Sequence, residues 1–300
     1  MKCLVTGGAG FIGSHLVDSL VGDGHNVTVL DNLYRGRRSN LRPGKVRFVK
    51  GDIRNRRTLA AAARGAEVIY HLASQATVMS SVEDPEYTIS TNIGGTYNVI
   101  DVAARAGARL LFASSREVYG DASRLPVRED HPLRPKNLYG ASKVAGEALC
   151  RGLERVRGLR WTAFRLSNVY GPRDFGRVIP RFIQNARKGD DIVLYGGRQV
   201  IDFIWVEDAV RFMRAAESST RAEGVAYNVG SGRASNLGEL AQAILKATGS
   251  GSRVRREPGR PMEVGRFQAD LALARQITGI RDRPLDLESG IRRLVESGEF

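Results

Sequence analysis

The stretch TGGAGFIGSHL, residues 6–16, decides the fold. It follows a short apolar run, KCLVT (2–6). It opens a segment with apolar residues at Phe11, Ile12, Leu16, Val17, Leu20 and Val21, a helical spacing that Gly22 and Gly24 stop. Gly7, Gly10 and Gly13 therefore stand between a strand and a helix. Gly7 permits a tight turn, Gly10 lets the backbone approach a pyrophosphate, and Gly13 lets helix and strand pack closely. The helix start offers free N–H groups and a partial positive charge to phosphates. A second strand, NVTVLD (26–31), ends at Asp31. It lies about 20 residues beyond the glycines, where an acid binds the adenosine ribose hydroxyls. Loop and acid together predict a dinucleotide cofactor. The carboxylate would repel a 2′-phosphate, which selects NAD over NADP, although Arg35, Arg37 and Arg38 lie nearby.

Working outward, KVRFVKGD (45–52) reads as a third strand, RTLAAAARG (57–65) as a helix and AEVIYHLA (66–73) as a fourth strand. A helical pattern runs from Pro85 to Ala106, ARLLFASS (108–115) is a strand, Tyr139 to Val156 a helix, and WTAFRLSNVYG (161–171) a strand. Alternating strands and helices mean βαβ units, a parallel sheet and right-handed crossovers. Beyond Gly171, proline, glycine and arginine become dense in GPRDFGRVIPR and REPGRPMEVGRF. DIVLYG and VAYNVGSG are set among helices expected at 177–188, 206–218 and 236–248. The expected architecture is α/β: a Rossmann-type doubly wound parallel sheet in residues 1–170 and a smaller C-terminal α/β substrate-binding lobe in 171–300. Segments within 200–232 are expected to return to the main sheet.

The 300 residues are 42% hydrophobic and 26% charged, an ordinary globular balance. No apolar run reaches the ~18–20 residues that cross a bilayer. The N-terminal MKCLVTGG reads as a strand rather than a secretory signal. These points suggest a cytoplasmic protein with no membrane partner. Cys3 and Cys150 are the only cysteines, too few for a disulfide framework or a metal cluster. They are expected to be buried small hydrophobes, and no metal is expected. The net charge is +14, a balance that suits nucleic acid or an anionic diphosphate substrate. The arginines are scattered and not interleaved with aromatics, which favours a solvated basic surface and no nucleic-acid partner.

YGASK (139–143) puts Tyr139 and Lys143 on one helix face. Tyrosine is a poor base near neutrality, and an ammonium beside it is expected to lower its pKa. The pair can then remove a hydroxyl proton as hydride leaves the same carbon.

With these residues the chain resembles the extended short-chain dehydrogenase/reductases, the NAD-dependent epimerases and dehydratases of nucleotide sugars. The likeness runs nearly end to end through TGGAGFIGSHL, DNL (31–33), GDI (51–53), HLAS (71–74), TN-x-x-GT (91–96), SSREVYG (114–120), YGASK, RLSNVYGP (165–172), DF-x-x-V-x-D (202–208) and RP-x-E (260–263). It implies that Phe11, Ile12 and Asn32 join the cofactor site, that Asp52 and Ile53 flank the adenine, and that Leu72, Ala73 and Asn92 line the cofactor path, with Lys143 at its end. It puts Ser115 in the place of the catalytic serine or threonine. Asn168 and Arg260 fall on residues that hold the substrate diphosphate, and Glu263 on an acid at the nucleoside ribose. One position departs: relatives carry arginine before the Asp-Phe pair, and here it is Ile201, with Arg198 nearby as a replacement.

The resemblance implies C4 epimerisation of a UDP-hexose, UDP-glucose/UDP-galactose or their N-acetyl forms, through a 4-keto intermediate and a retained NAD. Glu117 leaves an alternative open. It is either a base, as in 4,6- or 5,6-dehydratases and uronate decarboxylases, or a strand-end carboxylate paired with Arg116. An ordinary 4,6-dehydratase also needs an acid where Arg116 stands, and arginine delivers no proton near neutrality. A non-catalytic NAD sensor or RNA-binding protein ranks below both. By resemblance, the 85–106 and 139–157 helices pair into the four-helix bundle of a homodimer, although packing inside one chain explains their apolar faces equally well.

Overall fold

The computed structural model describes residues 1–197 and 199–300. Twelve strands occur among them: β1 (Lys2–Thr6), β2 (Asn26–Asp31), β3 (Arg47–Lys50), β4 (Val68–His71), β5 (Arg109–Ser115), β6 (Trp161–Leu166), β7 (Asn168–Tyr170), β8 (Ile192–Tyr195), β9 (Val200–Trp205), β10 (Val225–Val229), β11 (Ala234–Asn236) and β12 (Val254–Glu257). Seven form one parallel sheet in the order β10-β6-β5-β4-β1-β2-β3. Successive strands run outward from β1 through β2 to β3, then restart on its other side with β4. That reversal opens a crevice beyond the carboxyl ends of β1 and β4, where open α/β sheets take their ligands.

Helices cover both sheet faces, so the central strands read as continuous apolar runs rather than alternating ones. Phe11–Gly22, Val206–Ala215 and Ala272–Thr278 pack with one face around Val5, Leu16, Val29 and Phe212. Arg56–Ala62, Thr96–Ala106 and Leu138–Arg157 pack with the other around Leu4, Ile69, Ile100 and Phe112. Cys3 belongs to the first layer and Cys150 to the second, both buried and unbridged. No helix among the described residues is long and apolar enough to cross a membrane.

Two sequence expectations change, and a third is met in part. The 85–106 helix is not continuous: Pro85–Ile89 and Thr96–Ala106 are joined by a π-helical turn, Ser90–Gly95. The wide turn carries Asn92 into a buried position, where its Oδ1 accepts the Gln75 N–H (2.8 Å) and its Nδ2 donates to Ser142 Oγ (3.1 Å). WTAFRLSNVYG is two strands, because the chain leaves the main sheet at Ser167 and β7 pairs with β9. Of residues 200–232, β10 joins the main sheet beside β6, whereas β9 does not. β9 lies between β7 and β11 and buries Phe203 and Trp205 with Ile183, Leu240 and Leu294 in the core of residues beyond 170.

Asp202, on β9, is fully buried. Its carboxylate accepts N–H bonds from Ser231 (2.7 Å), Gly232 (3.0 Å) and Ala269 (3.0 Å) and the Ser167 hydroxyl (3.2 Å). One side chain thus ties the sheet-changing point to two distant loops.

Candidate active site

β1 runs straight into the glycine turn. Gly7 has φ +73°, and a methyl there would lie 2.6 Å from the Ala73 nitrogen. A methyl on Gly13 would lie 2.8 Å from the Gly8 Cα and closer still to the Gly7 carbonyl. Gly10 is different: its methyl would meet only the Gly7 oxygen, at 3.2 Å, with open space beyond. Gly10 caps the Phe11–Gly22 helix without any side-chain hydrogen bond, so the helix's first N–H groups remain available to an anion.

Asp31 ends β2 at the crevice. Its Oδ2 accepts the Ala9 N–H (3.0 Å) and its Oδ1 the Leu33 N–H (2.8 Å). Burial pushes its pKa up, and those two donors pull it back. A carboxylate has about four acceptor positions, so Asp31 keeps capacity for a diol. Asn32 Nδ2 donates to Asp52 Oδ2 (3.0 Å) and to the Tyr87 hydroxyl (3.2 Å). The open wall at Gly10, the free helix start and the carboxylate at Asp31 fit a dinucleotide such as NAD.

These groups line one cavity of about 1020 Å³ with Phe11, Ile12, Ile53, Leu72, Ala73, Ser115, Glu117, Tyr139, Lys143, Asn168, Arg260 and Glu263. Asn92 does not line it; it lies behind the wall, bracing Gln75 against the Leu138–Arg157 helix. Arg198 lies outside the described residues, and Ile201 is a buried apolar part of the wall. Arg260 stacks over Tyr195 (4.2 Å) beside Glu263 (3.5 Å).

The wall has further members that sequence reasoning passed over. Tyr34 stacks on Tyr87 at 4.9 Å, with Arg54 over Tyr87 at 4.7 Å, near Asn32 and Asp52. The loop after β7 contributes Arg173, Asp174, Phe175 and Arg177. Burial pushes the Asp174 carboxyl up to about 6 despite the Arg177 and Arg35 cations. Arg37 lies 3.8 Å over the Phe175 ring, joining the loop after β2 to the loop after β7. The available signal was the density of charge in GPRDFGR directly after a strand.

β5 delivers Ser115, and the Leu138–Arg157 helix delivers Tyr139 and Lys143. Gly140 lets that helix start against the Glu117 carbonyl, which a methyl would approach to 2.5 Å. Lys143 is buried; its Nζ donates to the Ala113 carbonyl (2.8 Å) and lies 5.6 Å from the Tyr139 ring centre. Burial pulls its pKa down to about 7. Burial also pushes Tyr139 up, and the opposing influences are the Arg177 cation and a hydrogen bond with Ser115. Arg177 and Ser115 are thus two influences on Tyr139 that the sequence reading did not include.

Glu117 is engaged at both carboxylate oxygens. Its Oε1 pairs with Arg116 Nη2 (3.0 Å) and its Oε2 accepts from Asn137 Nδ2 (2.7 Å). Arg116 Nε donates in turn to Asn168 Oδ1 (2.7 Å).

Among the described residues, Cys3, His25 and Glu217 bring three potential ligand atoms within 4.8 Å of one another. Arg214 already donates to Glu217 (2.8 Å) and lies 3.1 Å from the His25 ring nitrogen, so a guanidinium holds the position a cation would take.

Residues 3–230 match the NAD dependent epimerase/dehydratase family. A putative UDP-glucose 4-epimerase of Methanocaldococcus jannaschii is 35% identical, over 97% of this chain and 96% of that one. UDP-glucuronic acid decarboxylase 1 of Xenopus tropicalis is 33% identical, over 98% of this chain and 71% of that one. The crystal structure of Thermus thermophilus UDP-glucose 4-epimerase in complex with NAD superposes with a TM-score of 0.91 at 35% identity, covering 99% of this chain and 98% of that one. In sequence and in fold, this chain belongs to the NAD dependent epimerase/dehydratase family.

Proposed function

We propose that this protein is a nucleotide-sugar 4-epimerase acting on a UDP-hexose, namely UDP-glucose/UDP-galactose or their N-acetyl forms. The observation that carries the choice is the double engagement of Glu117 beside an intact Ser115, Tyr139 and Lys143. Elimination of water needs a free base and a free acid at neighbouring carbons. Here the carboxylate is held at both oxygens, and its neighbour Arg116 is a permanent cation. Epimerisation needs neither. A bound NAD would supply the hydride acceptor and donor for the sugar carbon. Tyr139 accepts and returns the hydroxyl proton, Ser115 orients the same oxygen, and buried Lys143 fixes the floor of the site. In this reading Gly7, Gly10, Gly13 and Asp31 hold the cofactor, with Asn32, Asp52 and Ile53 at its adenosine end. Asn168, Arg260 and Glu263 face the nucleotide of the substrate, in a division between residues 1–170 and 171–300. Ile89, Tyr97 and Val156, apolar and exposed on the two long helical segments, support a homodimer through those helices.

The test is separate incubation with UDP-glucose, UDP-N-acetylglucosamine and UDP-glucuronate, followed by NMR. A C4 epimer of unchanged mass is expected; loss of water or carbon dioxide refutes the reading. Glu117→Gln should slow epimerisation by no more than about tenfold, whereas loss of a general base costs about 10²–10⁴.

A further inference from the structure

Arg116 and Glu117 form the middle of a buried hydrogen-bonded chain in which every link has a fixed direction. At one end, Asn137 Oδ1 accepts the Gly140 N–H (2.8 Å) and caps the helix that carries Tyr139. A backbone N–H only donates, so the Asn137 amide must turn its Nδ2 to the Glu117 carboxylate (2.7 Å). The other Glu117 oxygen takes Arg116 Nη2 (3.0 Å), and Arg116 Nε reaches Asn168 Oδ1 (2.7 Å). A guanidinium has no acceptor, so the Asn168 atom that faces it must be the carbonyl oxygen. Asn168 Nδ2 has no acceptor among the described residues, and Asn168 lines the cavity.

We propose that Arg116 is a positioning residue that locks the Asn168 amide with its N–H₂ toward the substrate, so that Asn168 donates to the diphosphate of a nucleoside-diphosphate sugar. Glu117 acts through Arg116, holding the guanidinium in place. This rests on the nucleotide-sugar reading above and deepens it. An amide free to turn would present its carbonyl to a phosphate part of the time, replacing a charge-assisted hydrogen bond by repulsion. Arg116 removes that option. The same chain connects the cap of the Tyr139 helix to the strand that bears Asn168, so one network sets both the proton-transfer end and the diphosphate end of the cavity.

The test uses NAD-loaded protein and calorimetric titration with UDP and, separately, uridine. Arg116→Met combined with Glu117→Gln keeps the local charge neutral, and the amide that replaces the carboxylate still offers an oxygen to Asn137. UDP should bind more weakly by at least about twofold, the cost of an amide that presents its N–H₂ only half of the time, and by at most about ten- to a hundredfold, the loss of the whole hydrogen bond to a charged acceptor. Uridine binding should be unchanged. Asn168→Ala should show a selective loss at least as large, and adding the double change to it should weaken UDP no further. In turnover, the effect should fall on KM rather than kcat. Equal weakening of UDP and uridine, no weakening of either, or an added loss in the Asn168→Ala background would each make Arg116 a stabilising ion pair and overturn the inference. Wild-type protein that binds none of UDP, dTDP and GDP overturns the nucleotide-sugar reading itself, an outcome distinct from the others.

Discussion

Lys143→Met replaces a buried ammonium by an uncharged chain of similar length, and its effect should depend on pH in a calculable way. Burial pulls Lys143 from the ordinary 10.5 to about 7 in the folded protein. Below about pH 6 both folded and unfolded chains carry the proton, and the folded chain bears the full cost of burying it. Between pH 7 and about 10.5 the unfolded chain keeps a proton that the folded chain has released. Folding stability then rises with pH, by at most about 1.4 kcal/mol per unit. The methionine variant lacks this contribution. The stability difference between the methionine variant and wild type should be constant below about pH 6 and should move in favour of wild type by about 2.5 kcal/mol between pH 7.5 and 9.5. Urea unfolding of both proteins with NAD removed, followed by tryptophan fluorescence, measures the difference. All other titrating groups are common to the pair and cancel. Parallel stability profiles over that range would refute the argument, because they would mean that Lys143 keeps its proton on folding.

Gly13→Ala drives a methyl into the Gly7–Gly8 turn; the variant should purify without bound cofactor and melt several degrees lower, read by absorbance and calorimetry. Asp202→Ala strips five donors, the Ser231 hydroxyl among them, of their common acceptor. Each one left buried without an acceptor costs about 1–3 kcal/mol, a loss that chemical denaturation would register.

The elements that read correctly from sequence are those whose causes are local. β1, β4 and β5 are buried on both faces and therefore read as largely apolar runs, each with a glycine close to one end (Gly7, Gly65 and Gly107). The Leu138–Arg157 helix announces itself through its asparagine cap and its closing Gly158, which has φ +63°. The failures have distant causes. Nothing within WTAFRLSNVYG signals a change of sheet at Ser167; that is decided by the Val229 carbonyl and the Asp202 carboxylate, far along the chain. Asn92 sits in a motif associated with the cofactor path, yet a π-helical turn rotates it into the packing behind the wall. Glu117 was ambiguous as a lone carboxylate because its state is set by Asn137, twenty residues on, and by how the Arg116 side chain bends. The two C-terminal helices, Ala272–Thr278 and Leu287–Ser297, went unread among dense arginine and proline.

The two cysteines acquire a use from where they lie. Cys3 and Cys150 stand on opposite faces of the main sheet, 2% and 0% exposed. Burial pushes Cys3 up to about 11 and Cys150 further still. Alkylating reagents attack the thiolate, and only where they can reach it. Each cysteine is therefore silent until its own helical layer lifts from the sheet. The molecule carries two native clocks, one per face, and peptide-resolved labelling would time the separation of the glycine-loop side independently of the catalytic-helix side.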